Sequence, residues 1–229
     1  MLKFSTRILG GVAALSLAAA ANGAVIINEA FVGGGSSTAG TAFTRDFVEL
    51  YNTGPAPVDL TGWRVTYASA SGNFGTNNVV AFAAGSFIAV GDHLLLVSGG
   101  AGSAGAPVPN ANYYNGTTSG ASLSGSAGSI KLFDSANVSI DTLGYGTTVT
   151  AADANGVPKI ETAAAPAPTS GNTTSLSRSG FTDTNNNSVD FTNQPPSPTA
   201  GTMSAVVVPE PASLAIAGLA GLVLRRRRA

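Results

Sequence analysis

His93 is the only histidine in the 229 residues, so a Ser-His-Asp triad or a zinc site would have to pass through it. It stands in Val90-Gly91-Asp92-His93, directly before Leu94-Leu95-Leu96, and the chain has no cysteine. One imidazole without thiolates gives zinc too few ligands, and the setting is that of a strand start. Carboxylates are more plentiful, and a close pair of them is the machinery of a glycosidase. Oxygen donors also alternate in the segment TDTNNNSVD, residues 182 to 190. Asp183, Asn185 and Asn187, with Asp190 behind them, are spaced as ligands in a calcium loop. The segment lacks a Gly at the sharp turn and a bidentate Glu closing a twelve-residue loop, and Asx-turns account for the same composition without an ion. No cofactor is expected, calcium on Asp183, Asn185, Asn187 and Asp190 being the alternative to Asx-turns, and no residue is expected to be catalytic.

Charge narrows the partners. Between residues 25 and 208, Arg45, Arg64, Lys131, Lys159 and Arg178 stand against eleven Asp and Glu, a net charge near −6 that the whole-chain value of −1 conceals. Few and scattered basic residues give a phosphate backbone little to hold, which counts against nucleic acid. Without cysteine, an exported chain has no disulfides and must rely on a packed core.

These residues need elements to position them, and strand signals dominate. Residues 24–32 alternate, with one face apolar except for Glu29. Further short runs rich in β-branched and aromatic residues occupy 47–51, 63–67, 79–82, 87–90, 94–97, 130–133 and 138–143, separated by Gly, Pro, Asn, Asp and Ser. Asp134-Ser135-Ala136-Asn137 reads as a hairpin loop. No stretch of the exported part keeps a helical period over ten residues. The expectation is an all-β, antiparallel sandwich of eight to ten short strands. Trp63, Val65 and Tyr67 should share a face, with Trp63 burying on the order of 200 Å² in the core. Asp59-Leu60-Thr61-Gly62 reads as a turn in which Asp59 accepts backbone N–H groups and Gly62 takes positive φ. Glu49 falls on the same face as Phe47 and Tyr51, so it should lie at a sheet margin or bond to a loop backbone. The loops at 33–41 and 98–106 are Gly-rich but lack the Lys and strand-to-helix setting of a phosphate site. Residues 161–175 read as a Pro/Ala-rich surface excursion.

The ends carry addresses. Lys3 and Arg7, the uncharged stretch from Ile8 to Ala21 and small residues around 19–23 read as a signal peptide, residues 1–23. At the other end, Ala212 to Leu224 is only thirteen residues, and a helix counted from Pro209 has sixteen, against the roughly 20 of a usual span. Arg225, Arg226, Arg227 and Arg228 would stop transfer and remain on the cytoplasmic side. Pro209-Glu210-Pro211, an Ala/Gly/Leu run and a terminal Arg cluster together resemble the PEP-CTERM sorting signal. That resemblance implies recognition of Pro209, Glu210 and Pro211 by an exosortase in a Gram-negative bacterium. The protein would be held transiently in the inner membrane by its tail, then passed to the cell surface or outside.

The middle of the chain also has a likeness. VIINEAFVGGG, RDFVELYNTGPAPVDLTGWRVTYAS, GDHLLLV, SLSGSAGSIKLFDSANVSIDTLGYG and SLSRSGFTDTNNNSVDF occur in the order found in bacterial lamin tail domains. FVELYN and VDLTGW carry most of it, through Glu49, Asp59, Gly62 and Trp63. The resemblance implies an immunoglobulin-like sandwich over residues 24–195, flanked by a signal helix and a C-terminal hydrophobic helix, with a linker at 196–208 and the sorting signal at 209–229. It also implies an attachment module with envelope polysaccharide or a surface protein as partner. The rivals are a small secreted hydrolase with paired carboxylates and a matrix filler without a specific ligand.

Overall fold

Alternating apolar residues produce strands wherever one face can be covered, and this chain covers them by laying two sheets together. The computed structural model describes residues 25–75, 79–109, 113–114, 121–169, 172–199 and 201. The expected signal peptide, hydrophobic tail and sorting motif lie outside them. Twelve strands occur among the described residues: β1 (Val25–Phe31), β2 (Asp46–Asn52), β3 (Val58–Asp59), β4 (Arg64–Ser69), β5 (Val79–Ala81), β6 (Phe87–Ile88), β7 (His93–Ser98), β8 (Tyr113–Tyr114), β9 (Gly128–Phe133), β10 (Ser139–Tyr145), β11 (Ser175–Arg178) and β12 (Phe191–Gln194). The single helix among them, α1 (Asn187–Asp190), is one turn long.

The larger sheet has the order β12-β11-β1-β2-β7-β8, the smaller β10-β9-β4-β5, and β3 pairs with β6 at the side. Pairing is antiparallel except between β7 and β8. This is the all-β, immunoglobulin-like sandwich that the strand pattern and the family likeness predict. Val25, Ile27, Ala30, Val48, Leu50, Leu94, Leu96 and Leu176 of the larger sheet meet Val65, Tyr67, Ile130, Leu132, Leu143 and Tyr145 of the smaller one in a single apolar layer.

Trp63 departs from expectation. It lies one residue before β4 and is half-buried, packed against the rim of the core. The cause is the preceding turn: Thr61 N–H donates to Asp59 Oδ1 at 2.8 Å and Gly62 sits at φ +75°, so the chain enters β4 only at Arg64. Asp59 and Gly62 thus do what their types predict. Residues 161–169 are also less superficial than expected, since Ala165 is buried in the main core.

The outer face of the larger sheet is covered in two halves. Phe31, Phe47 and Leu95 form a second apolar cluster under Phe43 and Val108. The other half carries Glu29, Glu49, Tyr51 and His93.

Candidate functional site

β11 pairs with β1 only at Glu29 and Ala30, so the N–H and C=O of buried Ile27, beside the register shift between Ile27 and Glu29, lie beyond that ladder. Two charged residues from other strands supply the missing partners. Ile27 N–H donates to Asp141 Oδ2 at 2.6 Å, and Arg178 Nε donates to Ile27 C=O at 2.9 Å. Arg178 Nη2 then closes the triangle on Asp141 Oδ2 at 2.7 Å. Asp141 stands on β10 beside a second register shift, so the ion pair fastens one sheet to the other. Burial pushes the Asp141 carboxyl up, while the Arg178 guanidinium and the Ile27 N–H pull it down.

The TDTNNNSVD segment wraps the same arginine. Arg178 Nη1 lies 3.1 Å from Asp190 Oδ2 and 3.4 Å from Asp183 Oδ1, and donates to Thr182 C=O at 3.2 Å. Its guanidinium also stacks 4.5 Å from the centre of the Phe191 ring. Asp190 accepts the Thr184 N–H and hydroxyl besides, and Asp183 accepts the Asn185 N–H. Asn187 turns inward instead. Fully buried, its Oδ1 accepts the N–H groups of Gly144 and Glu161, and its Nδ2 donates to Thr142 C=O and Glu161 Oε2. Asn185 takes a left-handed φ of 55° and offers its carbonyl to the Thr162 hydroxyl. The oxygens whose spacing suits a metal ion thus surround, in part, a protein cation. Asp141, Glu161 and Asp183 do bring one carboxylate oxygen each within 4.8 Å of one another. Arg178 already occupies the space beside two of them. Burial first, and then Asp141 and Asp183, push Glu161 up to about 8.

Sequence reasoning missed Arg178, which it counted only among scattered basic residues. The available signal was an Arg within the strand run Ser175-Leu176-Ser177-Arg178 ahead of the five acids and amides of residues 182–190. A cation buried in a strand requires such a set.

On the outer face of the larger sheet, Glu49 is buried between β1 and β7 and not at a margin. It accepts Asn28 Nδ2 at 2.6 Å and, through Oε2, the N–H of Thr199 at 2.5 Å. Glu29 beside it accepts the Ser197 N–H and hydroxyl, both at 2.9 Å, and the Ser175 hydroxyl at 2.6 Å. The two glutamates clasp the segment that leaves β12, so the first residues of the expected linker are fixed to the sandwich. His93, at the start of β7, has Nε2 at 3.6 Å from Glu49 Oε1 and packs on Tyr51, which stacks on Phe181 at 4.0 Å.

With this geometry in view, the family likeness has a direct test. The lamin tail domain matches residues 18–147, more than half of the chain. The chain belongs to the lamin tail domain family. Residues 207–228 match the PEP-CTERM protein-sorting motif, which spans Pro209, Glu210, Pro211 and Arg225 to Arg228. No curated protein compared with the chain matches it. The stretch matched to the lamin tail domain ends just beyond β10, yet β11 and β12 continue the same sheet and bring Arg178 to the bulge of β1. Among the described residues no helix is long and apolar enough to cross a membrane, and residues 212–224 lie outside them.

Buried acids give this lamin tail domain a pH dependence. Burial raises Asp46 and Glu49 to about 7 and Glu161 to about 8. Each folded value lies above the unfolded one, so the folded state holds the extra protons; stability is greatest on the acid side and is lost as pH rises through about 7 to 8. Burial depresses His93 below 6.5, which works in the opposite sense and is lost on the acid side. Three carboxyls outweigh one imidazole. The melting temperature should fall from about pH 5.5 to about pH 8.5, and Glu161→Gln should flatten the slope. A melting temperature that climbs across that range would contradict the assignment.

Proposed function

We propose that the sandwich is a non-catalytic binding or structural module of the cell envelope or exopolysaccharide matrix, delivered there by exosortase processing of its tail. The PEP-CTERM match carries this reading, because that motif addresses a protein for export and exosortase recognition. Both matched families are non-catalytic domain types. The clasp of Ser197 and Thr199 on Glu29 and Glu49 supports a role for the tail as a tether. Pro209 lies eight positions beyond Gly201, a reach of at most about 28 Å, so an uncut tail would hold the sandwich close to the membrane.

Intact-mass measurement of the protein from membrane and extracellular fractions of its host is the test. A species lacking both ends, cut near Pro209 and found outside, is expected, and Glu210→Ala should leave most of the protein uncut in the membrane. An uncut wild-type tail would mean a plain anchor.

One observation favours the hydrolase rival: the raised Glu161 beside Asp141 and Asp183 has the form of an acid with neighbouring carboxylates. Turnover of a polysaccharide panel, abolished by Glu161→Gln, would sink the binding-only reading.

A further inference from the structure

The smaller sheet has its own outer face, and it carries two cations, Arg64 and Lys131. Val65 and Tyr67 of β4, and Ile130 and Leu132 of β9, point into the core, so Arg64, Thr66, Lys131 and Phe133 point outward. Above them a groove of about 550 Å³ runs between Arg64, Thr66, Phe74, Phe133, Asn137 and Val157. That volume is within the range of sites for small ligands, of roughly 300–1,000 Å³.

Its walls are held from behind. Lys159, fully buried, donates to the carbonyls of Ser69, Ala70 and Gly72, fixing the loop that ends at Phe74. Asp153 accepts the N–H groups of Phe74 and Val157 and so ties the two sides together. Phe74 and Phe133 meet edge to face, with ring centres 6.4 Å apart. The Arg64 guanidinium lies 4.4 Å from the centre of the Phe133 ring and donates one N–H to Asn137 Oδ1. Lys131 Nζ, 5.6 Å from the Phe74 ring centre, donates to the hydroxyls of Ser139 and Thr142. Neither cation is in an ion pair among the described residues. Thr66 is 3% exposed and its hydroxyl has no hydrogen-bond partner. A buried unpaired hydroxyl at the base of a groove is uncommon and costs stability unless something completes it.

We infer that this groove takes a uronic-acid unit of an anionic polysaccharide, with the carboxylate on Arg64 and the sugar's C–H face on Phe74 and Phe133. This rests on the matrix-binding reading above and names its ligand class. A planar guanidinium, prefixed by its ring and by Asn137, presents paired N–H donors to a carboxylate. Asn137, whose Oδ1 accepts from Arg64, offers its amide N–H groups to ring hydroxyls. A net charge near −6 on residues 25–208 would repel a polyanion at long range, but beyond about 10 Å that field is screened at 0.1 M salt. Arg64 is the charged residue in the groove lining itself, while Asp153 is engaged behind the wall by the Phe74 and Val157 N–H groups.

The test is calorimetric or NMR titration of the purified full chain with oligogalacturonate, with a neutral dextran oligomer as comparison. Saturable binding of the uronate and at least tenfold weaker binding of the dextran are expected. Arg64→Ala and Phe74→Ala should each weaken uronate binding about tenfold or more, and Arg64→Lys should restore part of it. Unchanged melting temperatures would show that these variants fold. Absence of saturable uronate binding, binding indifferent to Arg64→Ala and Phe74→Ala, or equal affinity for dextran would overturn the inference. A protein found exported and cut that ignores uronates would refute this groove assignment alone, whereas an unexported protein would refute the reading on which it rests.

Discussion

Arg178→Met should destabilise the lamin tail domain by about 3–5 kcal/mol at neutral pH. Methionine fills much of the space, so a cavity is not the cause. The loss comes from what remains: Asp141 and Asp190, both buried, would face each other's surroundings without a counter-charge, and the Ile27 carbonyl at the β1 bulge would lose its donor. For a domain of ordinary stability, about 5–15 kcal/mol, this is a large share of the whole. Urea denaturation followed by tryptophan fluorescence measures it, since Trp63 packs at the rim of the core. The damage should ease at acid pH, because a buried Asp141 without Arg178 takes up a proton readily in the folded state and is then neutral. The double change Arg178→Met with Asp141→Asn should cost less than the sum of the single ones, because it removes the stranded charge together with its partner. An unfolding free energy within a few tenths of a kcal/mol of wild type for Arg178→Met would mean that the bulge is held by other means.

Lys159→Met is the second large effect, and it reaches the groove. The Lys159 ammonium satisfies three carbonyls, those of Ser69, Ala70 and Gly72, at 2.5, 2.7 and 3.0 Å. Hydrogen bonds from a charged donor are worth about 1.5–3 kcal/mol each, but here the lost desolvation cost of the ammonium and water reaching the partly exposed loop offset much of that. A net loss of about 2–3 kcal/mol is expected. It should be accompanied by faster proteolysis at residues 69–75, because the loop carrying Phe74 loses its anchor. Retention of wild-type cleavage rates in that loop would show that Asp153 alone positions it.

These two variants also show where sequence reading reaches and where it stops. Period-two alternation placed the long strands, because each face of such a strand is committed to core or cover by its own residues. The turn at Asp59 and Gly62 was equally legible, since its hydrogen bond and its positive φ depend on neighbours within three positions. The hairpin loop at Asp134 follows the same rule, with Asp134 Oδ1 accepting the N–H groups of Ala136 and Val138. Glu49 was only half legible. Its bond to a loop backbone was foreseen, but its central position was not, because the covering segment at Thr199 comes 150 residues later.

The sequence by itself determined the address and the architecture of this protein. A sorting motif is read as a linear string, and strand patterning is local, so both survive without a fold. Only the tertiary structure decided what the charges do. Asp141 finds Arg178 across 37 positions and Ile27 across 114, and Lys159 reaches Ser69 across 90. The acids and amides of residues 182–190 fit either Asx-turns or a cation loop in isolation, and the fold brings an arginine into their midst. The groove likewise exists only after β4, β9 and the loops at 74 and 157 are assembled. Charge and hydrogen-bond partners act over a few ångströms in space without regard to distance along the chain, which is why the spacing of residues alone could not assign them.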